Sequence, residues 1–168
     1  MRWCELAAFT TMYRSHLGTL PTKNWQIYND TESLAHFFNM SIVFHSWDFY
    51  RRELMKEAEM YGWPVARHMM LVYPNNSGVY SEDLSYQFML GTQLLVAPVH
   101  ERFDVLEERR VFLPEGITWV HIWTGKAYRG ANSWVLIEAP LGRPPVFYPQ
   151  GSAVGLQFVR NLKQRNLL

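Results

Sequence analysis

Arg2, Trp3 and Glu5, followed by Arg14, Ser15 and His16, gather hydrogen-bonding and stacking side chains into one short stretch. Guanidinium and neutral imidazole offer directed hydrogen bonds that suit vicinal hydroxyls. A run of this density belongs at the rim of an active site, where element ends and loops meet a ligand. It starts at the first residue of the chain, which predicts a site divided in two, with its other part upstream. His16 is the strongest single candidate, two residues after Arg14 and in a predicted loop. Spacing alone leaves open a second reading, in which backbone carbonyls satisfy its ring.

Other chemistries find less support. The histidines at 16, 36, 45, 68, 100 and 121 show no i, i+4 pair, and none has a matching carboxylate set, so no metal site is expected. Glycine-rich phosphate loops are absent. No nucleophile elbow surrounds a serine, and Cys4 lies in an apolar, predicted buried setting. Glycoside hydrolysis would need two carboxylates about 5 to 10 Å apart. Glu32, Glu53, Glu57 and Glu59 fall on a predicted helix, and Glu82, Asp83, Glu101, Asp104, Glu107 and Glu108 flank turns. Glu5 alone is placed to line a site, so the sequence holds a sugar-binding rim without an acid and nucleophile pair.

The 168 residues suffice for one ordinary domain or two small ones. Seven Trp, nine Tyr and ten Phe suit stacking on sugars, but filling a core uses the same residues. A net charge of +1 gives no electrostatic case for nucleic acid or an anionic membrane. No apolar run reaches the roughly 18 residues of a membrane span. Cys4 is the only cysteine, which excludes an intrachain disulfide and favours a reducing, cytoplasmic compartment. Asn-x-Ser/Thr triplets at Asn29, Asn39 and Asn75 are read as chance matches, since Asn39 sits in a predicted helix.

Residues 5–13, small and apolar, predict a buried strand, and Arg14, His16, Gly18 and Pro21 a following loop. From Leu34 to Ala58 the apolar residues recur every three or four positions, which predicts one long amphipathic helix stopped at Gly62. Residues 65–73 predict a strand, and 82–90 a short helix ending at Gly91. Past Gly91 the pattern becomes short strands, at 93–99, 109–113, 119–123, 134–139 and 145–148, as in an antiparallel sandwich. This predicts three parts: 1–91 of strand–helix type, 92–156 as a β-sandwich, and a weakly structured tail over 157–168.

At these residues the chain resembles glycoside hydrolase family 31, the α-glucosidase family. Arg2-Trp3, Ala7-Ala8-Phe9 and Arg14-Ser15-His16 follow a family signature without a gap. Tyr50-Arg51, Gly62, Pro64-Val65, Arg67, Tyr73-Pro74, Gln87 to Gly91 and Leu94 to Val99 continue it in order. Val111 to Pro114, Trp123-Thr124-Gly125, Ala139-Pro140-Leu141-Gly142, Pro145-Val146-Phe147 and Gly151-Ser152 complete it. The resemblance implies an α/β plus β fold: the last two strand–helix units of a (β/α)8 barrel, then an antiparallel β-sandwich. A whole barrel takes about 250 residues, so most of it would lie upstream. It further implies a retaining α-glycosidase acting on a carbohydrate, without cofactor, whose two catalytic aspartates precede the Arg-Trp segment. No catalytic residue carries over to this chain. His16 matches the family's sugar-binding histidine, and Arg14 the arginine that shapes the same subsite. Thr10-Thr11, Gly18, Pro21, Asn24, Gln26 and Tyr28 resemble the sulfoquinovosidase-like branch, while Leu17 replaces its usual acidic residue. The implied partners are an α-glycoside and the missing barrel portion; exposed edges would also permit self-association.

Overall fold

The computed structural model describes residues 1–20, 22–100 and 108–168. The expectations for Pro21, Glu101, Asp104 and Glu107 lie outside them. The chain opens with a helix, α1 (Arg2–Ala7), not the strand expected over 5–13. An irregular loop leads to α2 (Thr31–Ser46) and α3 (Asp48–Tyr61). Asp30 caps α2 by accepting the Ser33 amide at 2.7 Å.

The expected single long helix is thus two, divided at Trp47. Trp47 is wholly buried, and its indole N–H donates to the Ala8 carbonyl at 2.8 Å. The broken end of α2 is satisfied from the next helix: Arg51 donates to the Phe44 carbonyl at 2.8 Å. Its guanidinium lies 3.6 Å from the Phe44 ring centroid. No glycine or proline marks this break, so only the tertiary contact accounts for it.

The strands are short: β1 (Ala66–His68), β2 (Phe88–Leu90), β3 (Leu94–Val96), β4 (Glu108–Leu113), β5 (Thr118–His121), β6 (Ala127–Arg129), β7 (Ser133–Glu138) and β8 (Val146–Pro149). Part of the expected 65–73 strand is instead helix α4 (Met69–Val72). Within 82–90, a single 3₁₀ turn at Glu82–Leu84 precedes β2, where a helix was expected. Among the described residues the strands form a six-stranded sheet, ordered β1-β2-β3-β8-β5-β6, and a two-stranded sheet of β4 and β7, with every pairing antiparallel. The larger sheet continues across Gly91, since β2 before it pairs with β3 after it.

Side-chain alternation along the larger sheet supplies two cores. On one face Leu90, Leu94, Val96, Val146 and Tyr148 join Met40, Val43, Trp47 and Leu54 of the helical layer. On the other, Met89, Leu95, Trp119 and Phe147 join Val111, Leu113 and Ile137 of the β4–β7 sheet. Each such fully buried side chain contributes about 1.5–3 kcal/mol. A helix, α5 (Ala153–Gln164), starts inside the expected sandwich and runs through most of the 157–168 tail expected to be weakly structured; Ser152 caps it by accepting the Gly155 amide at 3.1 Å. Phe158 of α5 meets Phe9 edge-on at 6.3 Å, and Asn161 donates to the Ser46 carbonyl at 2.7 Å. Gly155 permits this docking: a Cβ there would fall 2.1 Å from Tyr148 Cγ.

Candidate functional site

The sequence run that first suggested a ligand-binding rim separates into two structures with different tasks. Glu5 does not line a site. It is completely buried, and its carboxylate accepts the Gly142 amide at 2.6 Å and Arg2 Nη1 at 2.9 and 3.2 Å. Arg2 reaches further, donating to the Ala139 carbonyl at 2.7 Å and the Pro140 carbonyl at 3.4 Å. Two sequence motifs more than a hundred residues apart are therefore one contact, in which α1 is clamped to the 139–142 loop. Burial pushes the Glu5 carboxyl above its ordinary value, more than the Gly142 amide and the Arg2 charge pull it down.

Beyond α1 the chain is fastened at Ala8 by Trp47 and at Tyr13, whose hydroxyl donates to the Phe37 carbonyl at 2.8 Å. The Tyr13 ring stacks with those of Phe37 and Phe44, at 4.7 and 5.7 Å. Burial raises the Tyr13 hydroxyl well above its ordinary value, so it stays a donor. Arg14 and His16 lie immediately past this anchor, and both are exposed.

The His16 loop has a defined internal structure. Gly18 donates its amide to His16 Nδ1 at 3.0 Å. A ring accepting at Nδ1 carries its proton on Nε2, so His16 presents an N–H donor outward. The Leu17 carbonyl accepts from the side-chain amides of Asn24 at 3.0 Å and Gln26 at 3.4 Å. Gly18 has φ +73°, and a Cβ there would meet Asn24 Nδ2 at 2.2 Å, so the turn requires glycine. Among the described residues Arg14 makes no hydrogen bond or ion pair, and its guanidinium is open to a ligand. Arg14 and His16 thus share one loop, while Glu5 is withdrawn into the clamp and Arg2, its partner there, also lines a cavity beside α1. The clamp's partner loop at 139–142, like Asn24 and Gln26, stood out only through the family resemblance, with no sign that it would meet α1.

Three of the other histidines have structural duties. His36 is buried against the Met1 carbonyl at 3.1 Å, and His68 Nδ1 accepts the Met70 amide at the start of α4. His121 is buried beside Phe147 with Nδ1 3.0 Å from Thr124 Oγ1, and burial lowers its pKa to about 4. Among the described residues no three His, Cys, Asp or Glu side chains come together as a metal site. Among the described residues no helix is long and apolar enough to cross a membrane. A largely apolar cavity of about 220 Å³ opens beside α1, lined by Trp3, Leu6, Tyr86, Phe88 and His100; neither Arg14 nor His16 lines it.

Residues 62–154, which hold β1 to β8, match the glycosyl hydrolase family 31 C-terminal domain. The chain belongs to glycosyl hydrolase family 31. It is 43% identical over 148 residues to a sulfoquinovosidase of Escherichia coli (strain K12), covering 88% of this chain and 21% of that protein. A sulfoquinovosidase of Agrobacterium fabrum is 39% identical over 153 residues, 91% of this chain and 22% of its own length. Among solved structures, a family 31 sulfoquinovosidase from E. rectale in complex with the aza-sugar inhibitor IFGSQ superposes with a TM-score of 0.85 at 30% identity, over 97% of this chain and 23% of that one. The chain therefore spans about a fifth of the length of these relatives, which are glycoside hydrolases.

Proposed function

We propose that this chain is the C-terminal part of a retaining α-glycosidase of the α-glucosidase or sulfoquinovosidase type. In this reading it hydrolyses O-glycosidic bonds together with an upstream barrel portion that carries the nucleophile and acid/base aspartates. In this reading residues 1–91 supply the C-terminal end of the (β/α)8 barrel, with a helix at Arg2–Ala7 where its first strand was expected, and 92–156 supply the sandwich. β1 and β2, before residue 91, belong to the same sheet as β3 after it.

The observation that carries the reading is the His16 loop. His16 holds its proton on the outward Nε2 and so donates to a hydroxyl oxygen of the sugar, beside the open guanidinium of Arg14. Both residues bind substrate and neither transfers a proton in the reaction. The 168 residues alone do not hydrolyse glycosides, because losing a nucleophile or general acid costs several orders of magnitude in rate. An assay of the purified chain on aryl α-glucoside and aryl α-sulfoquinovoside is expected to show no turnover. Turnover abolished by mutating a carboxylate within this chain would overturn the reading.

A second reading, a non-catalytic fragment that binds sugar or a protein partner, draws on the exposed Met12, Leu17, Leu20, Trp25 and Phe38. Exposed apolar patches of this kind favour association, including self-association. Calorimetry with monosaccharides separates the readings from a chain without a ligand: a saturable heat, lost on His16→Ala, marks the sugar subsite.

A further inference from the structure

A single peptide unit sets the ring of His16. The Leu17–Gly18 peptide gives its N–H to His16 Nδ1 at 3.0 Å, and its carbonyl accepts the Asn24 side-chain amide, also at 3.0 Å. Gln26 Nε2 adds a longer bond to the same carbonyl, 3.4 Å, and another to the Asn24 carbonyl, 3.3 Å. A carbonyl only accepts, so both side chains must turn their NH2 groups towards it. Gln26 is buried, and the Asn24 amide nitrogen lies so close over Gly18 that a Cβ there would strike it.

In a trans peptide the C=O and N–H lie in one plane and point opposite ways. A carbonyl pinned on one side therefore fixes the direction of the N–H on the other. Accepting two hydrogen bonds also polarises the peptide and makes its N–H a stronger donor. Without that donor, the neutral ring of His16 is free to carry its proton on either nitrogen, and it then offers a hydroxyl an N–H only part of the time. We propose that Asn24 is a positioning residue for His16, with Gln26 as its brace. Acting through the Leu17–Gly18 peptide, Asn24 keeps the imidazole accepting at Nδ1 and its Nε2–H turned to the sugar hydroxyl. This rests on the sugar-binding role given to His16.

The test is magnetic resonance on the ¹⁵N-labelled 168-residue chain in mildly alkaline buffer. A scalar coupling across the hydrogen bond, from the Gly18 amide nitrogen to His16 Nδ1, reports the bond, and the imidazole nitrogen shifts report the tautomer. Asn24→Asp keeps the side chain's size and removes its donor, and Gln26→Met does the same for the brace. The parent is expected to show the coupling and a single Nε2–H tautomer. Asn24→Asp should lose the coupling and show both tautomers, and Gln26→Met should weaken the coupling. Tm should stay unchanged in both, whereas a role confined to holding the fold would lower Tm and leave the tautomer alone. Methyl α-glycosides of glucose and sulfoquinovose should bind Asn24→Asp on the order of threefold to tenfold more weakly than the parent, about the worth of one hydrogen bond. An undiminished coupling in Asn24→Asp would overturn the proposal, as would a parent without the coupling. A parent that shows the coupling and binds neither glycoside would overturn the sugar-binding role of His16, while loss of the coupling in Asn24→Asp would still establish the positioning.

Discussion

Replacing Glu5 by alanine tests whether α1 is clamped to the 139–142 loop as described. The carboxylate is completely buried and takes the Gly142 amide at 2.6 Å and Arg2 at 2.9 Å. Alanine leaves that amide without its acceptor and the Arg2 charge without its counterion, although Arg2 keeps the Ala139 carbonyl at 2.7 Å. Removing one member of a buried ion pair costs about 3–5 kcal/mol. The retained carbonyl argues for the lower end, about 3 kcal/mol, which in a chain of this size lowers Tm by about 6–12 °C. Thermal unfolding followed by circular dichroism, with urea titration alongside, reads this directly. A loss of less than about 2 °C would show that the clamp does not hold the helix. Glu5→Gln separates charge from hydrogen bonding. Because burial raises the Glu5 carboxyl above 4.5, its contribution is full below that value and is lost as pH rises through the higher folded-state value. Glutamine does not titrate there, so any deficit of Glu5→Gln against the parent should shrink from acid to neutral pH. A deficit that widens with pH would contradict the electrostatic argument.

Three further outcomes follow from the same geometry. Gly18→Ala puts a Cβ 2.2 Å from Asn24 Nδ2 at φ +73°, and is expected to cost about 1–3 kcal/mol locally; faster amide exchange at residues 16–26, with little change in Tm, is the readout. Trp47→Ala empties a fully buried site and strands the Ala8 carbonyl, so a loss of about 3–5 kcal/mol is expected in urea unfolding. Asp48 is held below its ordinary 3.8, chiefly by its hydrogen bond to Arg52 and also by the nearby Arg51 charge. Its stabilisation is therefore present above 3.8 and lost as pH falls through the depressed value. The urea midpoint of Asp48→Asn should accordingly approach that of the parent in acid, and a gap independent of pH would count against the pairing.

Sequence patterning reported the elements whose causes are local. Val111, Leu113 and Ile137 repeat at strand spacing in β4 and β7, and the three- and four-residue steps from Leu34 onward correspond to α2 and α3. What escaped it was imposed from elsewhere in the chain. The helix break at Trp47 needs the Ala8 carbonyl, 39 residues away. The helical form of residues 2–7 is tied to a loop near residue 140, so its small apolar run reads as a strand when viewed alone. In α5 the Val154, Phe158 and Leu162 spacing and the Ser152 cap are present in the sequence, and the expectation of a weak tail gave them too little weight. The candidate site divides the same way. Arg14 and His16 stand out by residue type, whereas the bond that sets the His16 proton position depends on a glycine amide that carries no side-chain signal.

The strand order has a consequence for how the chain is made. β8, the last strand in sequence, lies inside the larger sheet between β3 and β5. Until residue 149 has left the ribosome, β1-β2-β3 and β5-β6 are separate ribbons, each with an open edge awaiting the same partner. Long-range pairing of this sort is slow and leaves edges available to other chains. Synthesis order thus makes the late segment Val146–Pro149 the one that joins the ribbons, and a nascent chain paused before it would be the species most in need of a chaperone.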